Sequence, residues 1–208
     1  MIFFDFDGTV VNVWSRYYQV FLAAAGATGI SQNDYIRAKQ MLISDENVAH
    51  YLGINLPAWY FSKKRDLLET DVYLQLDTLL APIDELNTIF SRFECRFLTT
   101  RRRPNKFFME LKNLGLDHLS SRAIVLSPDR GISKKEFLMR NFPQSSHIVV
   151  GDSKSEWETA FLNNVHVVLV RTGLCRPEDF LLSEHHTIVA SISEFIMSYL
   201  EGSIHLWT

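Results

Sequence analysis

The stretch Ile2-Phe3-Phe4-Asp5-Phe6-Asp7-Gly8-Thr9 decides how the chain is read. A short apolar run ends abruptly in two acids, a glycine and a threonine. Consecutive apolar residues of this kind suit a strand covered on both faces, as in a mostly parallel sheet. In such a sheet ligands bind outside the carboxyl ends of the strands, where Asp5 and Asp7 fall. Alternate residues of an extended segment point the same way, so the two carboxylates can flank one space. Gly8 lets the backbone turn sharply after them. Two acids so close repel one another, and a hard cation such as Mg2+ relieves the repulsion. The bland alternative is a strand-end turn with solvated acids.

Outward from this stretch, further β-rich runs follow at Arg96-Phe97-Leu98, Ala123–Leu126, His147–Val150, Val165–Val170 and Thr187-Ile188-Val189. Helical patterns fall between them, over about 105–114, 133–141 and 155–163. Strand and helix alternate as in a doubly wound, Rossmann-like α/β domain. Residues 14–85 break the rhythm: they read as several helices without a strand, with stops near Gly26–Gly29, Gly53 and Pro57 and with Ser31 and Ser44 as N-caps. The expected organisation is a core of 1–13 and 86–208 with an inserted helical cap of 14–85.

The later strands end in chemistry of the same kind. Thr99 and Thr100 close the second run, and Gly151-Asp152-Ser153-Lys154-Ser155-Glu156 follows the fourth. Ser133-Lys134-Lys135 opens a helix that can aim an ammonium at the same rim. Either lysine fits that stretch, and either threonine can present the hydroxyl. Lys134 leaves Phe137 and Leu138 on the helix's buried face, and Thr99 follows the apolar run more directly.

These residues, in this order, resemble the haloacid dehalogenase superfamily of phosphohydrolases. Asp5-Phe6-Asp7-Gly8-Thr9 matches its DxDGT signature, Thr99 its second motif, Lys134 its lone lysine, and Asp152 with Glu156 its closing GDxxx(D/E). The insertion point resembles that of the helical-cap subclass, which is phosphoglycolate-phosphatase-like. The resemblance implies that Asp5 is the nucleophile and forms an aspartyl-phosphate, and that Asp7 is the acid and base. It also implies that Mg2+ is held by Asp5, the Asp7 backbone carbonyl and Asp152, while Thr99 and Lys134 bind the phosphoryl group. Thr100 can add a backbone donor, and Glu156, where many relatives carry Asp, orients the site from behind. The expected activity is hydrolysis of a small phosphomonoester. A phosphoryl transferase or phosphomutase uses the same first motif, and a non-catalytic module binding a phosphorylated ligand is a third reading.

Several features have two readings. Arg101, in Arg101-Arg102-Arg103, either grips a second anionic group of the substrate or opens a solvated helix before Pro104. Arg16 lies near the predicted hinge, within reach of a substrate. Lys63-Lys64-Arg65 reads as a solvated face. Trp14, Tyr17, Tyr18, Phe21 and Trp59-Tyr60-Phe61 read as cap core rather than substrate stackers. His185-His186 reads as a loop, and Cys95 as packed in its strand.

With 208 residues there is room for one core and a modest inserted lobe. A net charge of −3 gives no reason to expect nucleic acid or an anionic membrane as partner. Two cysteines build no disulfide framework, no apolar run is long enough to span a bilayer, and a charge arrives too early for a signal peptide. A cytoplasmic protein is expected; the oligomeric state is not encoded legibly.

Overall fold

The apolar runs of the sequence become the strands of one sheet in the computed structural model, which describes residues 1–42, 44–143, 146–162 and 165–204. The strands are β1 (Ile2–Phe4), β2 (Val11–Asn12), β3 (Thr78–Leu79), β4 (Cys95–Thr100), β5 (Ala123–Leu126), β6 (His147–Gly151), β7 (Val165–Val170) and β8 (His186–Val189). Six of them form the sheet in the order β5-β4-β1-β6-β7-β8. Every neighbouring pair is parallel. The chain runs outward from β1 through β4 to β5, then returns to β1's other side for β6, β7 and β8. The direction of winding therefore reverses at β1, the kind of place where a ligand crevice opens above a parallel sheet. Asp5, Thr100 and Asp152 fall at the carboxyl ends of these three central, adjacent strands.

Alternation sorts the strand side chains into two cores. Ile2, Phe4, Phe97 and Val150 pack on one face, while Phe3, Leu98 and Val149 pack on the other. The first face is covered by α6 (Ile83–Arg92), α7 (Pro104–Asn113) and α10 (Ile192–Leu200), which contribute Leu86, Phe107 and Phe195. The second is covered by α8 (Lys134–Asn141), through Leu138. Burial on both faces explains why these strands read as continuous apolar runs rather than alternating ones.

Between β2 and β3 lie α1 (Trp14–Ala25), α2 (Gln32–Leu42), α3 (Asp45–Tyr51), α4 (Tyr60–Leu68) and α5 (Asp71–Leu74). Their apolar faces meet in a third cluster built on Trp14, Phe21, Tyr35, Val48 and Tyr60. Ser44 caps α3 by accepting from the Asn47 amide, and Ser31 does the same for Asp34 at the start of α2. α1 ends at Gly26, whose φ of 67° puts it in the left-handed region.

Five expectations are corrected. Residues 14–85 do contain a strand: β3 pairs antiparallel with β2, through two residue pairs too short to leave a sequence pattern. α6 begins at Ile83, so a boundary after Glu85 falls inside a helix. The helix expected over 155–163 is α9 (Lys154–Trp157) followed by a 3-10 turn, Glu158–Phe161; its expected end, Asn163, lies outside the described residues. Trp59 and Phe61 are exposed, and only Tyr60 of that trio enters the core. A helix presents successive residues about 100° apart, so three adjacent aromatics cannot share one face. Likewise His186 opens β8 rather than sitting in a loop.

A carboxylate ties the inserted helices to the sheet. Glu69, just past α4 and buried, accepts from the backbone amides of Arg102 at 3.0 Å and Arg103 at 2.7 Å. Asp71 adds a more exposed pair with Lys106 of α7, at 2.7 Å. The two amides precede α7, whose first residue is a proline with no N–H to offer, so the loop's donors need an acceptor from elsewhere. Glu69→Ala is expected to cost about 1–3 kcal/mol, from charge-assisted bonds lost and donors left buried. Glu69→Gln should recover part of it. Urea unfolding of the two variants checks this, and equal midpoints for Ala and wild type would refute it.

Candidate active site

Asp5 is the first residue after β1. Its amide donates to the Val150 carbonyl at 2.8 Å, which continues the β1–β6 ladder and fixes the side chain above the sheet edge. Asp5 Oδ1 accepts from the Phe6 amide and from Lys134 Nζ, at 2.7 and 2.6 Å. Lys134 is buried and also meets Glu156 Oε1 at 2.6 Å. Its neighbour Lys135 turns away, over the Phe161 ring. Glu156 is fully buried, and its other oxygen closes a capping box by accepting from Ser153 N and Oγ, at 3.1 and 2.5 Å. The carboxylate is thus pinned at one end and holds Lys134 at the other. The same ammonium reaches Asp5, so Glu156 fixes where Lys134 meets it.

Asp152, one residue past β6, accepts from the Leu174 amide at 2.7 Å. A carboxylate oxygen from each of Asp5, Asp152 and Glu156 lies within 4.8 Å of the others. Three acids thus share one ammonium, an excess of negative charge in a buried place. Burial pushes the Asp5 carboxyl up to about 7 against the pull of Lys134, and burial with the Asp5 and Glu156 charges raises Asp152 well above the usual carboxylate range. A hard, oxygen-seeking divalent cation fits this donor set. Backbone packs against the cluster too closely to admit side chains. A Cβ on Gly173 would sit 1.9 Å from Asp152 Oδ2, and one on Gly8, whose φ is 76°, would sit 2.5 Å from the same atom.

Asp7 is drawn elsewhere. Arg101 grips its carboxylate with two nitrogens, each at 2.6 Å, and Arg16 Nη2 adds a third contact at 2.6 Å. Arg16, in α1, also meets Asp77 at 3.1 Å, and Arg101 meets Glu110 of α7 at 3.1 Å. Both guanidiniums are buried, Arg16 completely. Burial alone would raise the Asp7 carboxyl, but Arg101 and then Arg16 overcome it and hold it below the usual range. Asp77 is pushed up to about 9 by burial despite Arg16. Glu110 is raised for the same reason, against the pull of Arg101. Two arginines thus serve three buried or half-buried carboxyl groups, those of Asp7, Asp77 and Glu110.

The structure therefore gathers Asp5, Lys134, Asp152 and Glu156 into one cluster and places Asp7 beside it in a second. Thr99 is buried at the end of β4, and Thr100 is exposed on the rim. Arg101 is neither solvated nor open to a ligand, because its fork is filled by Asp7 and Glu110. Asp77, Glu110 and Glu69 escaped the sequence reading: none lies in a strand-end motif, and each acts through a partner more than thirty residues away or on another element. Arg16 carried one weak signal, its closeness to the predicted hinge.

Solved structures share the fold over nearly all of the chain. A protein described as a predicted phosphatase from Clostridium acetobutylicum superposes with a TM-score of 0.66 at 17% identity, over 96% of this chain and 97% of that one. A HAD family hydrolase from Deinococcus radiodurans, solved with phosphate and sodium, gives 0.64 at 12% identity, over 97% and 95%. The fold is haloacid dehalogenase-like. Protein tyrosine kinase A of Mycobacterium tuberculosis gives 0.65 at 19% identity, covering 97% of both chains, so proteins with different names share the haloacid dehalogenase-like fold. No protein-family model matches the sequence, and no curated protein matches it either. Among the described residues no helix is long and apolar enough to cross a membrane.

Proposed function

We propose that this chain is a Mg2+-dependent phosphatase that hydrolyses a small phosphomonoester through an aspartyl-phosphate on Asp5. One observation carries the reading: Asp5, at the carboxyl end of the central strand, shares a buried cluster with Asp152, Glu156 and Lys134. That cluster combines a nucleophilic carboxylate, a cation for a phosphoryl oxygen and an acidic donor set for a metal. Asp5 Oδ1 is held by Phe6 N and Lys134, which fixes the carboxylate for attack on phosphorus. Lys134 and a hydroxyl from Thr99 or Thr100 then bind phosphoryl oxygens. Asp5, Asp152 and the Asp7 carbonyl would hold Mg2+, which would supply charge neutralisation between nucleophile and phosphate.

Asp7 supplies the proton chemistry. Clamped by two arginines it is an ionised carboxylate, the form that takes a proton from the hydrolytic water. Protonating a leaving alkoxide requires the opposite form, and so requires Asp7 to release at least one arginine. Arg16 belongs to α1, so movement of the inserted helices is the motion that can do this. We read those helices, about 14–80, as the cap. A grip by Arg101 on substrate would require the same release. Two buried, free cysteines suit a reducing, cytoplasmic setting.

A panel of phosphate esters, assayed with Mg2+ and with a chelator, tests the proposal. Release of phosphate should fall by about a hundredfold or more on chelation, the scale of losing a Lewis acid that stabilises transition-state charge. Metal-independent turnover would overturn it. Adding a small alcohol as competing acceptor separates hydrolysis from transfer, because a transferase returns a new ester instead of inorganic phosphate.

Stability should report the same site. Because the folded-state pKa of Asp5 is raised to about 7, the metal-free protein should lose stability as pH climbs from about 4 to about 7. Mg2+ should then raise the melting temperature, more at pH 8 than at pH 5, where protons hold the carboxylates. Asp152→Asn should abolish that shift. A shift that survives in Asp152→Asn, measured by differential scanning fluorimetry, would place the ion elsewhere.

A further inference from the structure

Between α4 and the loops after β4 and β5 lies a cleft of about 240 Å3, lined by Phe61, Lys64, Arg65, Leu68, Glu69, Thr100, Arg102 and Pro128. Five of these residues come from the inserted helices and three from the sheet edge. Thr100 ends β4, and β4 lies directly beside β1, so the cleft opens within about two strand spacings, ~10 Å, of Asp5. Resting on the phosphatase reading above, we propose that this cleft receives the alcohol half of the substrate. We further propose that it selects an alcohol half carrying its own anionic group on a body with a flat apolar face.

The charge inventory supports the anion. Three cations line the cleft against one carboxylate, and that carboxylate, Glu69, is already engaged by the Arg102 and Arg103 amides. Lys64 is committed to Asp45. Arg102 holds the exposed Asp129 at 2.5 Å, a surface pair that a ligand can replace at little cost. Arg65 is exposed, and its guanidinium makes no hydrogen bond or ion pair among the described residues. A planar fork with nothing to hold, beside an apolar wall, matches a carboxylate or a second phosphate.

Shape supports the apolar face. Phe61 is 51% exposed, although it belongs to a helix whose neighbour Tyr60 is fully buried. Phe61 and Leu68 share one face of α4 with Lys64 and Arg65, and Pro128 adds apolar surface from the other wall. Glu69 ties α4 to the loop and so fixes the width between the two walls.

Three aryl phosphates of matched shape test this: phenyl phosphate, 4-carboxyphenyl phosphate and 4-(trimethylammonio)phenyl phosphate, each compared between wild type and Arg65→Ala or Arg102→Ala. The expected result is a fall in kcat/KM of about tenfold for the carboxyphenyl ester in Arg65→Ala, mostly in KM. The phenyl ester should stay within about twofold and the cationic ester should hold or improve. An equal effect on all three esters would overturn the proposal. Calorimetric titration of Asp5→Asn with the same compounds reads the cleft without turnover. Carboxyphenyl phosphate binding tightest, and losing that lead in Asp5→Asn with Arg65→Ala, supports the subsite even if no ester is hydrolysed. Equal affinities for the three refute it even if all are hydrolysed. Failure of the phosphatase reading and failure of the subsite are thereby separate results.

Discussion

Asp5→Asn is expected to lower phosphate release by about four orders of magnitude or more, with the protein still folded. The size follows from the role: an amide oxygen is a poor nucleophile, so the covalent route closes and only binding and electrostatic stabilisation remain. The substitution is nearly isosteric. Its oxygen can keep the bonds from the Phe6 amide and Lys134, and removing the charge relieves repulsion from Glu156 and Asp152. Lys134 loses one counter-charge but retains Glu156 at 2.6 Å. These opposing changes should leave the unfolding free energy within about 1 kcal/mol of wild type, the scale of a single net hydrogen bond. A wild-type melting curve together with lost turnover is the expected pair of measurements. Turnover within tenfold of wild type would remove Asp5 as the nucleophile, and with it the mechanism.

How much of this was readable beforehand depended on whether the signal was local. The six core strands and the acids at their ends were legible because burial on both faces writes a continuous apolar run, and the chemistry begins where that run stops. The preference for Lys134 over Lys135 rests on Phe137 and Leu138 as the helix's buried face; Leu138 is buried and Phe137 packs beside it, while Lys134 turns inward. β3 was not, since its strand character comes from pairing with β2 and two residues carry no period. The clamp on Asp7 was least visible of all. Arg16, Asp77, Arg101 and Glu110 come from α1, the segment before β3, the β4 exit and α7. Their meeting is a product of topology, and each alone looks like an ordinary surface charge. Arg101 shows the consequence: its place at the strand end was correct, while both readings of its partner missed Asp7.

That clamp predicts the largest structural effect. Arg101→Met should destabilise the protein by about 3–5 kcal/mol at neutral pH, the usual cost of removing one partner from a buried ion cluster. Methionine can fill much of the space against Phe6 and Phe107, whose rings lie 5.9 and 5.7 Å from the guanidinium carbon, so the loss is chiefly electrostatic. Three carboxyl groups, those of Asp7, Asp77 and Glu110, would be left with Arg16 alone. For a chain of this length the melting temperature should fall by roughly 10 °C. The pH dependence identifies the cause. In wild type Asp7 is held below its ordinary pKa, a contribution to stability present above about pH 4 and lost as pH falls through the folded value. In the variant Glu110, already raised, would rise further, so the folded state would hold protons that the unfolded state gives up. Stability of the variant should then decline as pH rises from about 4, and the gap from wild type should widen. Arg101→Lys keeps the charge but cannot grip Asp7 with two parallel bonds, so it should fall between the two. A gap of the same size at pH 5 and pH 8 would mean that lost packing, rather than uncompensated charge, accounts for the effect, and that Asp7 is not held by Arg101 in the way described.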